Sequence, residues 1–430
     1  MTRDITPTSN YQPRVVDEEL QQFLAGLPAV SLEGPKGVGK TVTASRIAQT
    51  AYRLDDPSTL ELVRAQSDRL CIGAEPILVD EWQRYPPAWD VVRRTVDADP
   101  RPGRFVLTGS ATPERAGTHS GAGRIVTLRM RPLTLPERGI EVPTVSLQRV
   151  LTGSRPEVEG STVVNLDAYV KEILAGGFPG MRPSSDRARR AALNGYLDRI
   201  VDTEIPELGV QVRHPGTLRR WLSAYAAATA TTASYDTIRD AASTGEGGKP
   251  AKTTTIPYRE ALERIWILEP LQAWAPTNNH LSRLTFTPKH HLVDPALAAR
   301  LSGISSETLL SGKGPEAIPR DGTFLGSLFE SLTTMSLRVF AQASEARVFH
   351  FRTKGGEREV DLIVERDDHR IVAIEVKLSA TVDDKDVKHL LWLREQLGEN
   401  FLDGIVITTG AHAYRRTDGI AVVPLALLGT

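Results

Sequence analysis

The sequence predicts an α/β protein in which a parallel sheet with helices on both faces is followed by a helical region and a second α/β domain. Residues from Ala29 to about Arg138 alternate short apolar runs with segments of helical spacing, as a sheet covered on both faces requires. A second group of strand-like runs surrounds a polar turn near residues 367–369. No apolar run approaches the roughly 18 residues of a membrane span, so we expect no membrane partner.

The most informative segment lies between a strand-like run at 29–33 and a helical pattern at 42–52. It reads G-x-x-x-x-G-K-T, the Walker A pattern, in which backbone N–H groups and the start of a helix hold a triphosphate. Lys40 is expected to reach the β- and γ-phosphates, and Thr41 to offer its hydroxyl to Mg²⁺. The expected nucleotide contacts are Gly34, Pro35, Lys36, Gly37, Val38, Gly39, Lys40 and Thr41. ATP and Mg²⁺ are the predicted ligands of a P-loop NTPase sheet.

An apolar run at 77–79 ends in two acids, as a Walker B strand does. Asp80 is expected to hold Mg²⁺ together with Thr41, and Glu81 to orient and deprotonate the attacking water. A strand end with two solvated acids is the alternative, which the upstream phosphate loop disfavours.

Two further segments offer polar groups to the γ-phosphate. The strand at 104–110 ends with Thr108 and Ser110, whose hydroxyls suit placement of the water; a simple strand-to-loop turn is the alternative. Arg124 follows Gly123 and enters a strand, so it could neutralise developing charge from its own chain or from a neighbouring copy. Arg131 is a weaker candidate, and a surface salt bridge is the alternative for either arginine.

Composition narrows the class of protein. The 430 residues suggest two to three domains, and the net charge of −1 gives no global basic field for nucleic acid or membrane. The single cysteine, Cys71, excludes an internal disulfide framework and fits a reducing cytoplasm. We expect it in a buried strand. Residues 1–14 show no secretory pattern, which also favours a cytoplasmic location.

The middle of the chain is predicted to be largely helical. A linker at 153–163 precedes helical spacing over 166–201, which is broken by the turn at 176–180. Three further helices and a strand over about 217–274 suit a winged-helix unit, whose third helix would bind DNA. The alternative is a packing module, which is favoured because Arg259 and Arg264 both have acidic neighbours.

A second chemical pattern lies near the end of the chain. Asp361 lies on one predicted strand, and Glu375 and Lys377 share a face of the next. Two carboxylates can hold Mg²⁺ and a lysine can help to activate water, as in the D…E-x-K arrangement of restriction-endonuclease-like nucleases. Glu330, on a predicted helix, is an additional candidate ligand. A cross-strand ion pair is the alternative.

From about Val15 to its end, the chain resembles a prokaryotic family of AAA-type P-loop ATPases. Its members join an ATPase core to a C-terminal region of unknown function with a restriction-endonuclease-like core. The motifs that carry the resemblance lie, in order, at 34–41, 79–83, 107–110, 123–124, 132–137, 176–179, 196–197, 292–297, 324–330, 358–361, 375–377 and 423–425. Trp82, after the acid pair, departs from the residue type that related chains often carry.

The resemblance implies a winged-helix-like middle region and an ATP-driven role, but no substrate. We therefore expect an ATPase domain at 15–150, a helical, winged-helix-like region at 165–300 and a restriction-endonuclease-like domain at 315–430. The leading hypothesis is a Mg²⁺-dependent ATPase that acts as a switch or motor on an unknown partner, DNA or protein. The alternatives are an ATP-gated metal-dependent DNA nuclease and a nucleotide-dependent binding module that does not cut. A homo-oligomer is compatible with all three.

Overall fold

The computed structural model describes residues 11–110, 122–243, 249–275, 287–311, 322–353 and 355–430. The chain forms two compact units. The first runs to Arg131 and also contains Phe178–Gly180 and Arg264–Ile267. The second contains Pro132–Gly177, Met181–Glu263 and Leu268–Thr430.

The first unit is built on a five-stranded sheet in the order β2-β3-β4-β1-β5. Every neighbouring pair is parallel, so the carboxyl ends of all five strands meet at one edge. The predicted parallel sheet is confirmed. Its strands are β1 Ala29–Glu33, β2 Thr50–Arg53, β3 Ile77–Asp80, β4 Phe105–Gly109 and β5 Ile125–Arg129.

Four helices and two 3₁₀ turns accompany this sheet in the described residues. The helices are α1 Val15–Gly26, α2 Lys40–Ser45, α3 Pro57–Ala65 and α4 Pro87–Ala98, and the turns are Ser67–Cys71 and Trp82–Arg84. One face of the sheet carries a core built around Trp82, Trp89 and Phe105. The two tryptophan rings lie 4.8 Å apart, which fixes the turn that follows the acid pair against α4.

Two predictions for this unit are wrong. The helix predicted to continue to Tyr52 ends at Ser45, because the next apolar residues form the edge strand β2 beside β3. Cys71 lies in a 3₁₀ turn and not in a buried strand, and its Sγ is 3.0 Å from the Thr95 hydroxyl. Short apolar runs do not distinguish these conformations, since the choice depends on long-range packing.

The second unit contains a mixed seven-stranded sheet in the order β7-β12-β13-β11-β10-β9-β8. β9 and β10 are antiparallel, whereas β10 pairs parallel with β11, and β11 pairs parallel with β13. β6 and β14 form a separate pair. The strands are β6 Val145–Ser146, β7 Gly160–Ser161, β8 Ala346–Arg352, β9 Glu359–Arg366, β10 Ile371–Val376, β11 Phe401–Thr408, β12 His412–Arg415, β13 Ala421–Pro424 and β14 Leu428–Gly429.

The helices of this unit fall into a middle group and two helices of the C-terminal sheet. They are α5 Leu147–Leu151, α6 Leu166–Ala175, α7 Asp186–Arg199, α8 Ile205–Glu207, α9 Pro215–Ala227, α10 Tyr235–Ala241, α11 Lys252–Arg264, α12 Pro295–Leu301, α13 Ser306–Ser311, α14 Gly322–Ala343 and α15 Asp384–Leu397. A π-helical turn, Ile200–Glu204, joins α7 to α8. Every helix in the described part of the chain is too short or too polar to cross a membrane.

The winged-helix prediction is not confirmed. Three helices do occur, but α11 begins at Lys252 and carries Pro257 inside it, where the sequence had suggested a helix start. In the described residues after α11, Leu268 forms an isolated bridge with Leu292, and Leu271 forms one with Lys289. The strand predicted from residue 267 onward is therefore not formed there.

Candidate nucleotide site and carboxylate cluster

The loop after β1 has a backbone that requires glycine at three positions. Gly37 and Gly39 have φ values of 82° and 103°, in the left-handed region that a side chain disfavours. A Cβ on Gly34 would collide with the carbonyl oxygen of Met130. The loop is therefore a close-fitting backbone cradle at the carboxyl edge of the sheet.

Lys40 is the first residue of α2 and is only 4% exposed. Its ammonium group donates to the carbonyl oxygens of Gly34 and Pro35, at 2.8 and 2.9 Å. The lysine thus folds back over the loop that precedes it, which places its charge at the mouth of the cradle.

Two hydroxyl groups converge on one oxygen of Asp80 at the end of β3. Thr41 Oγ1 donates to Asp80 Oδ1 at 2.8 Å, and Thr108 Oγ1 donates to the same atom at 2.5 Å. Asp80 is 3% exposed. These oxygen donors fit Mg²⁺, which prefers carboxylate, hydroxyl and phosphate oxygens to nitrogen or sulfur.

Glu81 belongs to a second hydrogen-bonded group beside Asp80. Its φ of 54° turns the chain sharply after β3, and its N–H donates to Thr108 Oγ1 at 3.1 Å. Gln83 Nε2 donates to Glu81 Oε2 at 2.5 Å and to Ser110 Oγ at 2.9 Å. Gln83 therefore connects the acid Glu81 with the hydroxyl group of Ser110. The sequence pattern alone did not indicate this role.

Arg14, immediately before α1, supports the loop from the side. Its Nη1 donates to the carbonyl of Val38 at 2.8 Å, and its Nη2 donates to the carbonyl of Arg131 at 2.6 Å. The sequence analysis missed this residue. No local signal marks it, because its partners lie 24 and 117 positions away.

Glu33, the last residue of β1, is a buried carboxyl group directly before the loop. Burial raises its pKa to about 7, although Arg129, Ser31 and Lys40 oppose this shift. The Arg129 guanidinium also lies 3.6 Å from the centre of the Trp266 ring. The sequence analysis missed Glu33 as well, since an acid ending an apolar run resembles an ordinary strand end.

In the second unit, the structure brings Asp361, Glu375 and Lys377 together. Asp361 Oδ2 accepts the N–H of Val376 at 2.9 Å, just beyond the antiparallel pairing of β9 with β10. Lys377 Nζ donates to Glu375 Oε2 at 2.9 Å, as their shared strand face predicts.

A lysine that the sequence analysis missed lies among these acids. Lys289 Nζ is 2.9 Å from Glu330 Oε1, 3.2 Å from Asp361 Oδ1 and 3.3 Å from Glu359 Oε1. No group of three or more His, Cys, Asp or Glu side chains within the described ranges is arranged to hold a metal ion.

Burial and neighbouring charges separate the pKa values of these carboxyl groups. Burial, together with the charge of Asp361, raises the pKa of Glu330 to about 8, against the opposing effect of Lys289. Burial also disfavours ionisation of Asp361, but Lys289 and Lys377 outweigh it and lower the pKa of that group. Burial and Asp361 raise the pKa of Glu375 well above its ordinary value. Asp361 is therefore the ionised member of its pair with Glu375.

Three family models match successive parts of the chain. An AAA domain model matches residues 27–138, which include the loop, both acids and the hydroxyl group at 108. Two domains of unknown function match the remainder, DUF8612 at residues 166–308 and DUF4143 at residues 325–428. The AAA match supports a P-loop ATPase that binds ATP, while a restriction-endonuclease-like core in the C-terminal part is not confirmed.

Similar proteins of known sequence include uncharacterized proteins of Mycobacterium bovis and Mycobacterium tuberculosis. Each is 24% identical over 414 residues, which cover 94% of this chain and 82% of the relative. Among solved structures, the Walker-type ATPase PABY2304 of Pyrococcus abyssi is 16% identical, with a TM-score of 0.40, over 69% of this chain and 99% of that protein.

Among the predicted site residues, Arg124 lies away from the loop at 34–41. β1 and β5 run parallel, with Ala29 beside Ile125 and Glu33 beside Arg129, so Arg124 lies at the amino edge of the sheet. The loop follows Glu33 at the other edge, about five residues or roughly 16 Å away. Arg124 Nε instead donates to Asp97 at 2.7 Å, the surface ion pair that was the alternative. An own-chain contact with the γ-phosphate therefore does not fit this geometry.

Proposed function

We propose that the protein is a Mg²⁺-dependent ATPase that acts as a switch or motor on a DNA or protein partner. The observation that best supports this proposal is the convergence of Thr41 and Thr108 on one oxygen of Asp80, beside the glycine-rich loop at 34–41. The AAA match supports the ATP part of this proposal. Mg²⁺ dependence and the partner are our inference.

Each residue of the site has a distinct task in this proposal. Lys40 exchanges the carbonyl oxygens of Gly34 and Pro35 for the β- and γ-phosphates when ATP enters. Thr41 and Asp80 are the residues that would hold Mg²⁺, and the ion would supply positive charge to the phosphate groups. The hydrogen bond between Thr41 and Asp80 keeps these two candidate metal ligands close together at the edge of the sheet.

Glu81 orients the attacking water and accepts its proton. Gln83 and Ser110 both hydrogen-bond one oxygen of the Glu81 carboxylate, so its direction is set before the substrate arrives. Pre-positioning of a base within hydrogen-bond reach of the water is what general-base catalysis requires. Ser110 is thus a positioning residue in this proposal.

The test is ATP hydrolysis by the full chain with Mg²⁺ and with excess EDTA. We expect turnover only with Mg²⁺, and loss of both ATP binding and turnover in Lys40→Ala. Lys171→Ala, a change at an exposed lysine of α6, is the matched control and should behave as wild type. Turnover that survives in Lys40→Ala, or that persists in EDTA, would refute the proposal.

The partner is addressed by the same assay with and without double-stranded DNA. Turnover that rises with DNA identifies nucleic acid as the working partner, and turnover indifferent to DNA favours a protein. The sequence-derived alternative, metal-dependent DNA cleavage at Asp361, Glu375 and Lys377, is disfavoured because the ammonium group of Lys289 already contacts Asp361. Cleavage of the DNA that is lost in Asp361→Ala would restore that alternative.

A further inference from the structure

The carboxylate cluster of the second unit already contains a cation. The Lys289 side chain is 2% exposed, and its ammonium group contacts Glu330, Glu359 and Asp361 within 3.3 Å. Three oxygens from three different residues therefore surround one nitrogen. Loss of this ammonium group would leave the largely buried carboxylates of Glu330 and Asp361 without its compensating charge.

The backbone fixes Lys289 in this position. Its N–H donates to Leu271 O at 2.9 Å and its carbonyl accepts from Leu271 N at 2.8 Å, so both of its main-chain polar groups are paired with Leu271. Glu359 and Asp361 are two positions apart on β9 and therefore share one face of the strand. Glu330 approaches from α14. The lysine and its acidic partners thus come from a bridge, a strand and a helix that are held independently.

A divalent metal does not fit this arrangement. Mg²⁺ requires oxygen ligands at about 2.0–2.1 Å and strongly prefers an octahedral set. An ion bound by Asp361 and its neighbours would lie close to a buried ammonium group, and the two like charges would repel each other in a poorly solvated environment. The resemblance to metal-dependent nucleases implies a metal at Asp361 and Glu375, but Lys289 opposes it.

We propose that Lys289 is the resident cation of this cluster, that it excludes divalent metal ions, and that its removal exposes a latent Mg²⁺ or Mn²⁺ site. The proposal concerns the second unit and does not depend on the ATP site. It makes the carboxylates a structural ion cluster in which the lysine takes the position of a metal. It also assigns Lys289, and not Lys377 alone, as the residue that decides the chemistry of this site.

The test is Mn²⁺ binding to the full chain without nucleotide, followed by electron paramagnetic resonance and by thermal unfolding. We expect Lys289→Met, which keeps the length of the side chain, to gain Mn²⁺ binding and to unfold at a higher temperature as Mn²⁺ is added. The gain should disappear when Asp361→Asn is combined with it. Lys388→Met, at an exposed lysine of α15, is the matched control and should show no gain.

A second experiment compares wild type with Asp361→Asn, so it does not require a variant at position 289 to fold. Mn²⁺ binding should be the same in wild type and in Asp361→Asn, because Lys289 keeps metal away from Asp361. Binding that Asp361→Asn removes from the otherwise wild-type chain would overturn the proposal. A folded Lys289→Met protein that gains no Mn²⁺ binding would overturn it too.

Discussion

Thr41 Oγ1 donates a hydrogen bond of 2.8 Å to Asp80 Oδ1, across 39 positions of sequence. The bond joins the first turn of α2 to the end of β3, although β4 lies between β1 and β3 in the sheet. Thr108, at the end of β4, donates to the same oxygen. The loop, the acid and the hydroxyl therefore form one connected unit, and a change in one should be felt by the others.

Glu81→Gln should uncouple ATP binding from hydrolysis. Glutamine keeps the size of the side chain but cannot accept a proton, so turnover should fall by about 10²- to 10⁴-fold while the Kd for ATP is retained. Turnover and equilibrium binding of a fluorescent ATP analogue are the two measurements. Glu61→Gln, on the exposed side of α3, should change neither. Wild-type turnover in Glu81→Gln would remove Glu81 as the base.

Thr108→Val should weaken both the fold and the chemistry. Valine matches the shape of threonine, but it can neither donate to Asp80 nor accept the N–H of Glu81. A buried group left without a partner costs about 1–3 kcal/mol, which urea unfolding would measure. Thr108→Ser keeps the hydroxyl and should recover most of the turnover. Equal losses in the two variants would indicate that packing, and not hydrogen bonding, is the role of Thr108.

Glu33→Gln should become more stable than wild type as pH rises. The pKa of Glu33 is about 7 in the folded chain and 4.5 for an ordinary glutamate, so folding favours the protonated form. Wild type should keep this advantage below pH 4.5 and lose it as pH rises to about 7. The full change is at most about 3 kcal/mol in the free energy of unfolding. Urea titrations of both proteins across this range measure it, and a difference independent of pH would contradict the assignment.

Arg14→Met should weaken ATP binding more than it slows the hydrolysis of bound ATP. The guanidinium donates to the carbonyl of Val38 in the loop, and we expect this bond to hold the loop in the shape that binds phosphate. We expect the Kd to rise by about tenfold, equivalent to about 1.4 kcal/mol. Arg14→Lys should recover little, because an ammonium group cannot match the two-carbonyl geometry of the planar fork.

The control for Arg14 is Arg64→Met, at an exposed position of α3. It removes the same functional group without contact with the loop and should leave the Kd unchanged. If Arg14→Met lowered the unfolding temperature yet bound ATP with wild-type affinity, Arg14 would stabilise the fold without positioning the loop.

Arg124→Ala should leave ATP turnover at low protein concentration unchanged. Its partner, Asp97, is an exposed acid, and loss of such an ion pair costs at most about 1 kcal/mol. Turnover measured over a range of protein concentrations is the test. A loss confined to high concentration would indicate that Arg124 serves the site of a neighbouring copy. A loss in dilute protein would contradict the inference that Arg124 does not act on ATP bound to its own chain.

Much of the candidate nucleotide site could be predicted because its residues occupy consecutive positions in two short motifs. Lys40 and Thr41 come directly after a glycine-rich turn, and Asp80 and Glu81 end an apolar strand. Parallel strands carry their carboxyl ends to one edge, so the two motifs had to meet there. Their hydrogen-bond network was not predictable: Gln83 is recognised only by what it contacts, and the bond from Thr108 to Asp80 spans 28 positions of sequence.

The positions of Arg124 and Lys289 could not be predicted from local sequence patterns. The sequence places Arg124 near glycines, as in a nucleotide contact, but the parallel register of β1 and β5 puts it at the opposite edge. Lys289 lies 72 positions before Asp361 and belongs to no motif, so only the folded chain reveals that the two side chains touch.

The sequence by itself determined the phosphate loop, the acid pair and the paired strands that carry Asp361 and Glu375, because each depends on neighbours along the chain. Only the tertiary structure decided which groups support them. Arg14 reaches Val38, and Lys289 enters the carboxylate cluster, through contacts between segments far apart in sequence. Such contacts follow from packing and burial of the whole unit, and local residue patterns contain no record of them.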